Sequence, residues 1–217
     1  QSISWWYEGS RIIKPIEDSA SYITPSILWE NFNYEYSFDS VTYFAEENLA
    51  AGETIIAHSK NARYPIEYTL TSPLAAGDSI RIHDKIASRF FVGVNGSILM
   101  TKEASNFNYN FKNDYPWFTI SSSKLGGVTG TPQSMALSDD ANYLFVGTTD
   151  GNLYRISNIA YATDSKTADV GYSLYSASAA PVVNPYCVVA TSLVNSFEGR
   201  IITSISVNPN NPEMVVV

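Results

Sequence analysis

Short apolar stretches alternate with polar or small residues along most of this chain, each bounded by Gly, Asn, Asp or Pro, and long runs of helical periodicity are missing. Two stretches repeat one another. Phe90-Phe91-Val92-Gly93-Val94-Asn95-Gly96-Ser97-Ile98-Leu99 aligns with Leu144-Phe145-Val146-Gly147-Thr148-Thr149-Asp150-Gly151-Asn152-Leu153-Tyr154, with one residue inserted. Each reads as strand, tight turn on Asn-Gly or Asp-Gly, strand, because those dipeptides tolerate the positive φ of a hairpin turn. One strand upstream, Ser134–Val146 runs parallel to Ser204–Val216: an alternating strand, a turn rich in Asp, Asn or Pro, then an apolar strand.

The pattern predicts a repeating unit of four short antiparallel strands. One copy uses Ser79–Asp84, Arg89–Gly93, Ser97–Lys102 and Trp117–Ser121. The next uses Gln133–Ser138, Tyr143–Gly147, Asn152–Ser157 and a strand near Tyr186–Ser192. A third begins at Ile201–Val207 and Met214–Val217, and a weaker early copy occupies Ser40–Ala45, Thr54–Ser59 and Ile66–Leu70. Units of four short strands are what a β-propeller blade requires. The expected fold is therefore all-β: a β-propeller of about three four-stranded blades plus the start of another, an incomplete ring. Residues 1–36 form an N-terminal segment, with a hairpin around Glu8-Gly9-Ser10 that would close a ring, and residues 37–217 form the blades. Val215-Val216-Val217 falls in mid-strand, which leads to the expectation that blades continue beyond Val217.

Ile201-Ile202-Thr203-Ser204-Ile205-Ser206-Val207-Asn208-Pro209-Asn210-Asn211-Pro212 resembles the innermost-strand motif of sortilin-type and BNR-type propellers. Ser134–Asp140 with Leu144–Gly147 and Gly151–Tyr154 resembles WD40-like and YVTN-like blades. The resemblance covers about residues 79–217 and implies architecture, since one superfold hosts many functions. Thr149-Asp150-Gly151 departs from the Asp-box of sialidase-like propellers in its Asp-to-Gly spacing and in lacking the closing Trp. The Trp-Asp dipeptide of WD40 repeats does not occur.

Composition sharpens this reading. The 15 Tyr, 10 Phe and 4 Trp suit pleated, half-buried surfaces. A formal charge of −8 and no basic cluster argue against nucleic acid or anionic lipid as partner. Cys187 is the only cysteine, so no internal disulfide forms, and its apolar neighbours mark it as a buried thiol. No apolar stretch is long enough to span a bilayer as a helix. The start at Gln1 is read as a leader removed on export, giving a secreted or cell-surface location.

Candidate chemistry is thin. His58 and His83, the only histidines, lie in no metal-ligand spacing, and His83-Asp84 reads as a structural hydrogen bond or plain exposure rather than a catalytic pair. No Gly-x-Ser-x-Gly elbow occurs, and Gly126-Gly127-Val128-Thr129-Gly130-Thr131 lacks the Gly-Lys-Ser/Thr ending of a phosphate loop. Asp139-Asp140 reads as a polar turn before a calcium site, and the sequon Asn95-Gly96-Ser97 as a hairpin turn before a glycosylation site. Trp5, Trp6, Tyr7, Trp29, Phe32, Tyr34, Tyr36, Tyr115, Trp117 and Phe118 are weighed as core packing against sugar- or protein-binding surface.

No catalytic, cofactor-binding or metal-ligating residue is assigned, and no cofactor is expected. The expectation is a non-catalytic propeller module for binding or assembly, in an exported protein. Its partner would be a protein, the remaining part of the same protein, or a glycan. The alternative is an incomplete glycoside hydrolase or sialidase-like enzyme, which needs two carboxylates flanking a sugar bond. A structural subunit completed by strand addition is a third reading.

Overall fold

The computed structural model describes residues 6–7, 10–11, 20–108, 117–171 and 183–217; they are all-β, with several antiparallel sheets, none of them closed. They fall into two compact units, one drawn from 1–29, 90–101 and 111–217 and the other from 30–89 and 102–110.

The chain starts with β1 (Trp6–Tyr7) paired antiparallel to β2 (Ser10–Arg11). After β3 (Ser26–Asn31) it enters the second unit, built from β4 (Ser40–Phe44), β5 (Thr54–His58), β6 (Pro65–Thr69) and β7 (Ser79–His83). The β5–β6 hairpin lies between β4 and β7 in sequence, and β4 and β7 pair with each other, Ser40 opposite His83 and Phe44 opposite Ser79. Strict alternation explains the packing: Val41, Tyr43, Ile55, Ala57, Ile66, Tyr68, Ile80 and Ile82 all turn into one core shared by the two small sheets.

This pairing corrects the expected blades. Ser79–His83 does not precede Arg89–Gly93 in a common sheet, and the early copy is half of a separate unit. The physical reason is the fully buried Asp84, which accepts hydrogen bonds from Ser59 Oγ at 2.8 Å and from the N–H groups of Lys60 and Ile86, both at 3.1 Å. Those bonds fold the chain between His83 and Ala87 and separate the two strands.

The first unit then resumes with β8 (Ala87–Val94), β9 (Ser97–Thr101) and β10 (Trp117–Ser122). They form sheet A in the order β10-β9-β8-β3, so its fourth strand is Ser26–Asn31. Sheet B is β11 (Pro132–Leu137), β12 (Leu144–Thr148), β13 (Asn152–Ser157) and β14 (Ala190–Ser196), an antiparallel meander in chain order. Its first three strands match the expected second copy closely, whereas the fourth, expected near Tyr186–Ser192, begins only at Ala190. Between β13 and β14 a one-turn helix α1 (Ser165–Ala168) carries a capping box, in which Asp164 accepts from Thr167 N. The described chain finishes in the hairpin of β15 (Ser206–Asn208) and β16 (Asn211–Val216), a shorter β15 than the expected Ile201–Val207. The described residues thus hold two four-stranded sheets rather than about three.

Sheets A and B and the C-terminal hairpin follow one another face to face. Phe91, Ile98, Met100 and Ile120 of sheet A share a core with Leu144, Val146, Tyr154 and Ile156 of sheet B. From the opposite face of sheet B, Phe145 and Leu153 pack with Ile202, Val207 and Val215. Adjacent residues on one strand serve different cores, which is why Phe90–Val94 and Leu144–Val146 read as continuous apolar runs instead of alternating ones.

The repeated glycine has the same task in both sheets. A Cβ on Gly93 would lie 2.8 Å from Pro132 Cβ, at the start of β11. On Gly147 it would lie 2.6 Å from Ile202 Cβ, just ahead of β15. In each sheet the second strand is bare at the point where the following element arrives.

Candidate functional site

Three motifs of the sequence converge at one end of sheets A and B. In the β8–β9 turn the positive φ falls on Gly96 alone (71°), and in the β12–β13 turn on Gly151 (82°), so neither turn uses a left-handed Asn or Asp. The β12–β13 turn closes with Gly151 N–H on the Thr148 carbonyl at 3.2 Å. Between the two turns runs the Gly126–Thr131 loop. Gly96 N–H donates to Gly130 O at 3.3 Å, Thr149 N–H to Thr131 O at 2.9 Å, and Thr131 Oγ1 to Asn95 Oδ1 at 3.3 Å. Gly130, at φ 74°, leaves no room for a Cβ, which would stand 2.8 Å from the Asp150 carboxylate. Asp150 also accepts from Asn152 Nδ2 at 3.1 Å and from the Thr148 hydroxyl, and the hydroxyls of Thr129 and Tyr154 are 2.6 Å apart. Asn95 and Asp150 remain exposed at this surface. The result is a hydrogen-bonded polar surface of amide, hydroxyl and carboxylate groups carried on hairpin tips. Sequence spacing gave no sign that the two turns and the loop would meet.

A second polar cluster lies wholly within the other unit. Lys60 Nζ sits between Asp39 Oδ2 at 3.0 Å and Glu103 Oε1 at 3.4 Å, and Lys102 Nζ is 3.8 Å from Asp39. Burial works against the charge on Lys60, yet Glu103 and Asp39 together outweigh it and hold its pKa above the ordinary lysine value. For Lys102 burial wins and lowers the pKa; Asp39 opposes the shift, while Lys60 and Arg89 reinforce it. Sequence reading missed this cluster, because its members come from three distant segments.

The signs differ for the two lysines. Lys60 contributes stability below its ordinary pKa of 10.5, lost as pH rises through its higher folded value. Lys102 costs stability at neutral pH, and that cost disappears as pH rises from its lowered folded value toward 10.5. Lys60→Met is therefore expected to destabilise the protein by about 1–2 kcal/mol at pH 7, because Asp39 keeps Lys102 at 3.8 Å and Glu103 keeps Asn106 Nδ2 at 2.8 Å but both lose their closest cation. Lys102→Met is expected to stabilise it by about 1 kcal/mol. Urea unfolding of both variants at neutral and alkaline pH checks the opposite signs and their convergence at high pH.

The remaining candidates are placed as follows. His58 is exposed, and His83, also exposed, donates from Nε2 to Ser37 O at 2.8 Å, while Asp84 turns inward to its own donors. Asp140 makes the turn expected of Asp139-Asp140, accepting from Ser138 Oγ at 2.5 Å and Asn142 N at 3.0 Å. Cys187 is half-buried, and burial raises its pKa. The aromatic residues divide: Trp117 and Tyr34 are buried, whereas Phe32 and Tyr36 are exposed. Trp29 donates from Nε1 to Asp139 O at 3.0 Å, and Phe118 packs against the core shared by sheets A and B. Trp5 and Tyr115 lie outside the described residues, as do the side chains of Trp6 and Tyr7. Among the described residues no group of three or more His, Cys, Asp or Glu is placed to hold a metal ion, and no helix is long and apolar enough to cross a membrane.

Neither known family models, nor curated proteins, nor solved structures match this chain.

Proposed function

We propose that this chain is a stretch of β-propeller serving as a non-catalytic binding or assembly module of an exported protein. The observation that carries the reading is the recurrence along the first unit. Sheet A, sheet B and the C-terminal hairpin stack face to face in chain order, each junction built on the same glycine of the repeat, Gly93 against Pro132 and Gly147 against Ile202. Consecutive antiparallel meanders stacked in this way are how propeller blades follow one another. The convergence of Asn95, Thr131 and Asp150 at one end supplies the polar loop surface on which propellers bind their partners, a protein or a glycan.

A non-catalytic role is favoured over the glycoside hydrolase alternative by the charge cluster. Asp39 and Glu103 are close, but the Lys60 ammonium fills the space where a sugar bond and its water would have to sit. The test is incubation of the protein with a panel of glycans, followed by analysis for new reducing ends. Unchanged glycans are the expected result, and cleavage of any of them overturns the reading in favour of the enzyme.

A further inference from the structure

The turn joining β5 to β6 is strained where a simpler sequence would not be. Ala62 and Arg63 occupy the left-handed region in succession, at φ 50° and 56°, and Tyr64 N–H closes the turn on Asn61 O at 3.2 Å. This is the conformation that Asn-Gly adopts readily, and in which a Cβ crowds the following carbonyl. The surroundings hold the strain in place. Asn61, 2% exposed, donates to Ile86 O at 2.6 Å and accepts from Ser88 Oγ at 2.8 Å, and Ala62 N–H reaches Ser105 O at 2.6 Å. An arginine in so unfavourable a conformation is the kind of backbone outlier from which a use for the side chain is inferred.

That side chain is exposed, and its guanidinium has no ion-pair or hydrogen-bond partner among the described residues. Other cations of this unit have partners: Lys60 meets Asp39 and Glu103, Lys85 meets Glu35, and Arg81 donates to Ser40 Oγ. Tyr64, the next residue along the chain, meets Phe32 edge to face, with centroids 4.9 Å apart at 82°, and the two residues are 36% and 56% exposed. We infer that Arg63, Tyr64 and Phe32 form a binding site for a saccharide bearing a carboxylate. A guanidinium fork takes a carboxylate through two parallel hydrogen bonds. Two partly exposed rings suit the flat C–H side of a pyranose, whose C–H groups are attracted to the negative face of an aromatic ring. The net charge of −8 selects against long polyanions, whereas a single carboxylate meets only the local cation. The site lies entirely within the second unit and does not rest on the propeller reading.

The experiment is binding of the full chain to glycans ending in a hexuronic or sialic acid, each beside its neutral counterpart and beside short acidic peptides. The unaltered protein is expected to retain the acidic glycans at least about tenfold more tightly than the neutral ones. Ala62→Asn combined with Arg63→Gly relaxes the turn, so the double variant is expected to melt at a higher temperature and yet lose this binding. Arg63→Lys keeps the charge without the fork and is expected to bind more weakly. Equal retention of neutral glycans, tighter binding of acidic peptides than of any glycan, no binding at all, or unchanged binding by the double variant would each overturn the inference.

Discussion

Replacing Asp84 with alanine is expected to lower stability by about 3–5 kcal/mol, the range for removing a buried charged acceptor from several donors. The carboxylate is fully buried and receives Ser59 Oγ, Lys60 N–H and Ile86 N–H. None of the three donors has an obvious substitute, and two are backbone groups that cannot rotate away. Ser59 Oγ also receives Asn61 N–H at 3.0 Å, so the loss spreads into the β5–β6 turn. Asp84→Asn keeps the shape but must present an NH2 group to at least one donor, and about half the loss is expected. Urea unfolding gives the magnitude, and amide exchange at Lys60, Asn61 and Ile86 locates it. A loss below about 1 kcal/mol for the alanine variant would mean that water takes over the three donors and that this carboxylate does not anchor the unit.

Gly147→Ala is the second large effect, with an expected cost of about 3 kcal/mol, the upper end of the range for overpacking. The added methyl would meet Ile202 Cβ at 2.6 Å and Ser134 Oγ at 2.7 Å, and the chain around Ile202 is itself bonded to sheet B. Ser134 Oγ donates to Ile202 O at 2.7 Å, and Ile202 N–H donates to Thr148 O at 3.3 Å. Relief thus requires the C-terminal hairpin to move off sheet B. Gly77→Ala serves as the reference, since nothing lies within 4 Å of the new Cβ and only the φ of 87° opposes it, for about 1 kcal/mol. Combining Gly147→Ala with Ile202→Gly is expected to recover part of the loss, so that the double-mutant cycle shows coupling. Additive losses would show that Gly147 is needed for its backbone and not for the junction.

What could be read from the sequence was what local contacts decide. Sheet B is a meander whose neighbours in space are neighbours in sequence, and its turns carry Asp-Asp and Asp-Gly, so alternation and punctuation sufficed. Sheet A was misassigned at one strand. Ser79–His83 and Ser26–Asn31 are both short and β-rich, and the choice between them depends on Asp84 being buried, which nothing in the strand pattern announces. The Ala62-Arg63 turn escaped notice for a related reason: its left-handed geometry is imposed by Asn61, Ser88 and Ser105 from outside, against local preference. The candidate surfaces were least legible. The Asn95, Thr131 and Asp150 groups each looked like ordinary turn residues, and only the stacking of two sheets brings them together.

The passage of the chain through the second unit has a kinetic consequence. Sheet A is interrupted twice, after β3 and again between β9 and β10, to build residues 30–89 and 102–110. Strand β3 must therefore wait for a long loop to close before it can pair with β8, whereas β11, β12 and β13 of sheet B can zip from their own hairpins. The four tryptophans are Trp5, Trp6, Trp29 and Trp117, and the last two lie in β3 and β10. Sheet B and the second unit carry none. With Trp5 and Trp6 replaced by Phe, intrinsic fluorescence during refolding would pass over the early zipping and report on the delayed assembly of the sheet that had to be threaded.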